Sequence, residues 1–403
     1  MARTEAGAES GAAGTGGGAA GGHGGPVADG DGGGAGLGGG VVAGGEGAAG
    51  GGLGPVPASG RLPRSHVPAL ASLAARVARD PAPYYRLLHR EPGPVRVPGT
   101  AGGGDGIWLV GRDADVRAAL TAPGLVADAA TGDVPGLVDG AGLVASEGVR
   151  AAGAAGAGAG LASAGVRADA PPPRVAGVVA RAGHVLAGRL GSRASADLVP
   201  EFCDWLPAVA LGAALGLPYR RTEALRRWCR AGGPAPLPLP GALAVRARGA
   251  ERATAYALAS LLGALLTRPA HLAALREEPA LIDAAWAETL RHDPPAPYLV
   301  LRARERVRLP GGAVSAGERV LCLLGAAGWD PAGYPDPGRW DPSRGGRTPV
   351  PAHPWPDLGL LTVRYGLPPL LGVRGLALAP GFAPRAVGVR VRGPRRLLVR
   401  LGG

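Results

Sequence analysis

The sequence predicts a mainly α fold with a minor β-sheet (α+β). Three observations carry this. Apolar residues recur at helical spacing through most of residues 174–292. Short apolar runs near residues 95–110 and 299–323 read as strands separated by turns. The helical segments differ too much in length for a repeat solenoid. The chain has 403 residues, 46% of them hydrophobic and 18% charged, enough to bury a sizeable core.

Taken in order, residues 1–60 are almost entirely Gly and Ala; they cannot bury enough apolar surface to offset chain entropy and are predicted to be a disordered tail. Residues 61–403 are predicted to form a single domain. Leu70, Leu73, Val77, Tyr84, Tyr85, Leu87 and Leu88 have helical spacing around the breaker Asp80-Pro81. Residues 95–97 and 107–110 flank a glycine-rich turn and predict a hairpin, and Asp113 is the expected cap of a helix through Val116 and Leu120. The Gly/Ala run 151–165 is a poor helix, since each interior glycine costs ~1 kcal/mol. It lacks a GxGxxG pattern after a strand, so it reads as a compositional accident and not as a phosphate loop. Helices are predicted over 174–190, 196–215, 221–230, 245–267, 270–276 and 281–292, followed by a strand pair at 299–309 and 318–323.

Composition excludes several classes. The formal charge is +12, with all 43 basic residues arginine and no lysine, asparagine or glutamine, a usage that a GC-rich genome explains without functional pressure. No helix-turn-helix, zinc-finger or RNA-recognition signature accompanies the charge, so no nucleic-acid partner is expected. The longest convincing charge-free helical run, residues 253–267, falls short of the ~20 residues that span a bilayer; a buried core helix, no membrane association and a cytoplasmic location are expected. Cys203, Cys229 and Cys322 form no CxxC pair, so neither a disulfide scaffold nor a zinc site is expected.

The informative stretch is residues 286–342, WAETLRHDPPAPYLVLRARERVRLPGGAVSAGERVLCLLGAAGWDPAGYPDPGRWDP. Glu288 and Arg291 lie three apart on one helical face, where a carboxylate can meet a guanidinium. This stretch closely resembles the core of a bacterial cytochrome P-450, the haem-thiolate monooxygenase family, and flanking segments extend the likeness to about 340 residues. The resemblance implies that Glu288 and Arg291 are the family's Glu-x-x-Arg pair and that Arg339 in DPGRWDP completes the triad, a clamp on the fold and not on the chemistry. It matches poorly over 151–165 and after Arg344.

What the resemblance requires for oxidation is missing. The family holds iron through a cysteine thiolate in a Phe-x-x-Gly-x-x-x-Cys-x-Gly loop soon after the last arginine of the triad. Here that window reads GGRTPVPAHPWPDLGLLTVRYG, with no cysteine after Arg339, and the two phenylalanines, Phe202 and Phe382, lie elsewhere. Cys322 reads as a small buried hydrophobe on an earlier strand, and His353 as a surface-loop histidine. The family's Ala-Gly-x-Asp/Glu-Thr segment aligns without a gap to Gly249, Ala250, Glu251, Arg252 and Ala253. Arginine cannot shuttle a proton near neutral pH, although a one-residue gap brings Glu251 or Thr254 closer. Arg150 has no histidine four residues before it to complete the family's His-x-x-x-Arg propionate grip, and reads as solvated.

The expected architecture is therefore a P-450 fold without the cysteine haem-ligand loop, with no catalytic residues, no cofactor and no metal. It resembles the haem-less auxiliary proteins that bind, stabilise and activate deoxysugar glycosyltransferases in macrolide-type antibiotic biosynthesis. Such a role implies a hetero-oligomer with the transferase. Arg220, Arg221, Arg226, Arg227, Trp228 and Arg230 are the candidate contacts, because arginine and tryptophan are frequent interface anchors. Two alternatives stay open: a haem-dependent monooxygenase with an unusual ligand, and a P-450-like recruitment module of a peptide synthetase pathway.

Overall fold

Prolines and short-range polar bonds decide where the helices begin. A computed structural model describes residues 77, 79–97, 106–127, 166–231, 239, 241–344, 350, 353, 355–388 and 391–402. The expected tail, the helical spacing at Leu70 and Leu73, Arg150 and the run 151–165 lie outside the described residues. Helix α1 (Ala82–Leu88) follows Asp80-Pro81, and strands β1 (Val95–Val97) and β2 (Ile107–Val110) pair antiparallel with Val95 opposite Leu109. In α2 (Asp113–Thr121) the cap is Arg112, not Asp113. Asp113 is already helical: its N–H donates to Asp330 Oδ2 at 2.9 Å and its carboxylate meets Arg117 one turn on, 2.8 Å away.

After β3 (Leu125–Ala127), α3 (Pro173–Gly191) starts with a proline in its first turn, where the missing N–H costs nothing. The helix expected over 196–215 is instead three pieces: β4 (Ser195–Asp197), a π-helical turn (Val199–Cys203) and α4 (Leu206–Ala214). Pro200 and Pro207 each lack a donor for a continuous helix, and the Asp197 carboxylate accepts the N–H groups of Val199 and Leu397, holding this segment against the C-terminal strand. A 3₁₀ turn (Tyr219–Arg221) leads into α5 (Thr222–Ala231). The long α6 (Gly241–Leu266), α7 (Pro269–Glu277) and α8 (Ile282–His292) follow.

The expected strand 299–309 divides into β5 (Leu299–Ala303) and β6 (Val307–Leu309), the latter turning into its own hairpin with β7 (Gly312–Val314). Then come β8 (Arg319–Cys322), α9 (Leu324–Gly328), α10 (Pro356–Gly366), α11 (Pro368–Leu371), β9 (Ala377–Leu378), β10 (Ala386–Val387), β11 (Gly393–Pro394) and β12 (Leu398–Arg400). The main sheet has the order β1-β2-β8-β5-β3. Within it β2 and β8 run parallel, Ile107 beside Arg319, and the other pairs are antiparallel. A smaller sheet joins β4, β12 and β9.

Apolar side chains of α3, α4, α6, α8 and α10 form the larger core, around Phe202, Trp286 and Trp355. A second core lies on the main sheet, around Val110, Leu299 and Val320. Helix α6 is 26 residues long, ~39 Å at 1.5 Å per residue, and Ala257, Leu258, Leu261 and Leu262 along it are fully buried. Among the described residues no single helix is long and apolar enough to cross a membrane; only a pair bent by 106°, residues 246–266 with 269–277, meets the length.

Helices α3 and α10 cross at glycine. A Cβ on Gly183 would fall 2.2 Å from the Gly366 carbonyl oxygen, and one on Gly366 would fall 2.6 Å from Leu206 Cδ1. In an open helix Gly→Ala stabilises by up to ~1 kcal/mol; here overpacking reverses the sign. Gly183→Ala is expected to lower stability by about 1–3 kcal/mol, read as a lower urea midpoint; an unchanged or raised midpoint would show that the two helices separate freely.

Candidate functional site

The clamp is built on α8. Glu288 and Arg291 are both almost fully buried and face each other as a two-pronged pair, with Nε to Oε2 at 2.7 Å and Nη2 to Oε1 at 2.8 Å. The remaining guanidinium hydrogens go to backbone carbonyls: Nη1 to Gly328 at 2.5 Å and Pro337 at 2.9 Å, and Nη2 to Arg339 at 3.1 Å. The Asp341 N–H donates to Glu288 Oε1 at 2.8 Å. One helical ion pair thus fastens α9 and the 335–344 loop, and every bond is charge-assisted.

Arg339 does not complete the triad. Its side chain is 65% exposed and lies 3.7 Å from Asp341; only its carbonyl reaches Arg291. Arg344 supplies the second guanidinium, 15% exposed and 3.5 Å from Glu288 Oε1, and it also donates to the carbonyls of Pro335, Asp336 and Arg339. The correction is one of loop geometry. The turn through Asp336, which has a left-handed φ of 44°, carries the backbone of Arg339 towards α8 and leaves its side chain outside.

The segment where the resemblance places an iron-holding cysteine contains His353, which is buried and not on the surface as expected. Its ring packs near Trp286, with centroids 6.2 Å apart. The Trp355 N–H donates to Nδ1 at 3.0 Å, so Nδ1 is bare and the proton sits on Nε2. Nε2 lies 2.9 Å from Thr254 Oγ1 on α6, and that hydroxyl donates to the Ala250 carbonyl at 2.8 Å. A single neutral tautomer satisfies the whole chain of bonds, and burial pushes the imidazole pKa down to about 3.

Haem does not fit these residues. The resemblance has the ligand loop hold the iron and the central helix form the dioxygen groove, so a haem that served both would lie between them. A ring between two groups requires two van der Waals contacts of ~3.5 Å, and His353 and Thr254 are 2.9 Å apart. Both nitrogens of His353 are engaged, and Cys322 is fully buried on β8 in the core of the main sheet, as expected.

The two buried polar side chains in residues 249–254 of α6 are Glu251 and Thr254, whereas Arg252 is half-buried. Glu251 is fully buried and, among the described residues, neither of its oxygens has a hydrogen-bond partner; burial raises its pKa to about 8, against the attraction of Arg230, Arg252 and Arg226. An acid and an alcohol are therefore present, but the alcohol is already held by His353.

The expected contact residues on α5 do not form one surface. Trp228 is 5% exposed, a core residue with the Arg248 guanidinium 5.7 Å from its ring centroid. Arg226 is bonded to Glu223 and lies over the Trp205 ring, and Arg230 pairs with Asp204. Arg220, Arg221 and Arg227 are exposed, with Arg227 3.5 Å from Glu223. The helical period puts Trp228 on the same side as buried Leu225 and Cys229, which removes it as an anchor. Helix α10 has a local signal of its own, Pro356 followed by Leu358, Leu361 and Thr362 at helical spacing.

No family model matches the chain. Over 106 residues it is 42% identical to the C-19 steroid 1alpha-hydroxylase of Sorangium cellulosum, covering 26% of each chain. Over 81 residues it is 40% identical to Protein DesVIII of Streptomyces venezuelae, covering 20% of each. The chain thus spans a fifth to a quarter of the length of these curated relatives. The fold match is broader: the crystal structure of P450BioI in complex with an acyl carrier protein superposes with a TM-score of 0.62, covering 82% of this chain and all of that one at 18% identity. The chain has a cytochrome P450 fold.

Two predictions follow from this geometry. Arg344→Ala, which strips a partner from buried Glu288, is expected to cost about 1–3 kcal/mol, whereas Arg339→Ala is expected to change stability by less than about 0.5 kcal/mol; equal midpoints in denaturant would refute the reassignment. For pH, His353 binds its proton more weakly folded than unfolded, so stability falls as pH drops below about 6.5 towards 3. Glu251 holds its proton more tightly folded than unfolded, so it favours the fold at low pH and costs stability as pH rises from about 4.5 to 8. Thermal melts are expected to peak between these limbs, Glu251→Gln flattening the upper limb and His353→Gln the lower; limbs unaffected by either variant would refute the assignment.

Proposed function

We propose that this chain is a non-catalytic P-450-like auxiliary protein that binds, stabilises and activates a partner deoxysugar glycosyltransferase in macrolide-type antibiotic biosynthesis. The hydrogen bond between His353 and Thr254 carries the reading, because it joins the two elements that a haem would separate. The absence of any cysteine after Arg339 supports it from the sequence. So does the buried clamp on α8, which preserves the architecture. The likeness to haem-less auxiliary proteins supplies the partner class.

The physical role is mass action. A protein that binds only the active form of a transferase stabilises that form by RT ln(1 + [L]/Kd), about 2.7 kcal/mol at a hundredfold excess over Kd. The test joins spectroscopy with association. Protein expressed with haem precursors is expected to purify without a Soret band and to copurify with the deoxysugar glycosyltransferase encoded beside it, raising that enzyme's activity and thermal midpoint. Stoichiometric porphyrin would overturn the haem-free reading, and a transferase indifferent to the chain would overturn the partner reading.

A further inference from the structure

Helix α3 buries one face through Val175, Val179, Ala182, Leu186 and Leu190 and exposes the other. Arg174, Val178, Arg181, Val185 and Gly188 on that outer face are all exposed and follow one another at steps of four, three, four and three. That alternation makes a seam at the spacing by which one helix receives another, with β-branched valine at alternate positions and arginine or glycine between them. Val178 is 38% and Val185 41% exposed, unusual for valine. A Cβ on Gly177 or Gly188 would meet nothing within 4 Å, so both glycines leave room for a close approach.

The charges select the occupant. Arg174, Arg181 and Arg189 are exposed, and none forms an ion pair among the described residues, whereas Arg226, Arg230, Arg291, Arg364 and Arg392 all do. No carboxylate lies on the helix itself. A second copy docking through the same helix would bring further arginines and no carboxylate to neutralise them, so pairing of α3 with itself is disfavoured in either direction. A helix with carboxylates facing the arginines and apolar residues facing the valines would satisfy both features. From Arg174 to Gly188 the seam runs ~21 Å at 1.5 Å per residue, about four turns of helix, with Arg189 flanking its end.

We propose that the outer seam of α3 is the docking site for an acidic amphipathic helix of the partner glycosyltransferase, a proposal that rests on the reading above. Copurification is compared, with Kd measured at low and high salt, for the unmodified chain, for Arg174→Glu/Arg181→Glu/Arg189→Glu, for Val178→Asp/Val185→Asp, and for a control in the exposed turn after β5, Arg304→Glu/Arg306→Glu. The two seam variants are expected to bind at least about tenfold more weakly with unchanged circular dichroism and thermal midpoint, the control to bind as the unmodified chain does, and salt to weaken the unmodified complex. Unmodified chain that captures the transferase while the folded seam variants bind equally well would overturn the seam alone. Unmodified chain that fails to capture it would overturn the partner reading and the seam with it. Seam variants that misfold are replaced by Arg181→Glu alone, for which the same two outcomes decide.

Discussion

A single buried ion pair organises the molecule. Glu288 and Arg291 are withdrawn from water at considerable cost, and the cost is met because every polar atom of the pair has a partner: two bonds between the side chains, three carbonyls on Arg291, and a backbone N–H and a second guanidinium on Glu288. Removing one member of such a set leaves an uncompensated buried charge, typically ~3–5 kcal/mol. Helix α8 is therefore held to α9 and the 335–344 loop, which lead on towards the region of His353.

Much of this was legible beforehand because helical period and turn residues are local. The hairpin at 95–110, the helices over 174–190 and 221–230 and the Glu288–Arg291 pair are all read from neighbours in sequence. Where long-range bonds win, local reading fails. Residue 197 pairs with a strand two hundred positions away, and that pairing outweighs the helical pattern of 196–215. The arginine of the triad is set by the loop's backbone path, which a motif that contains Arg339 alone does not encode.

The histidine shows the same limit from another side. A lone histidine among prolines has no periodicity to place it, so its burial was invisible until Thr254, ninety-nine residues earlier, was seen to lie against it. Trp228 erred the other way, because composition suggested an anchor while the helical period had already assigned it to the core. Residue type proposed chemistry in each case, and position decided it.

The parallel pairing of β2 with β8 bears on how the chain is made. Val110 lies beside Cys322, so the first hairpin emerges with an open edge that its partner covers only after more than two hundred further residues have been added. At ~5–20 residues per second, that interval is roughly 10–40 s. The nascent protein spends it with an unpaired strand edge exposed, the condition under which chaperones act and neighbouring chains aggregate.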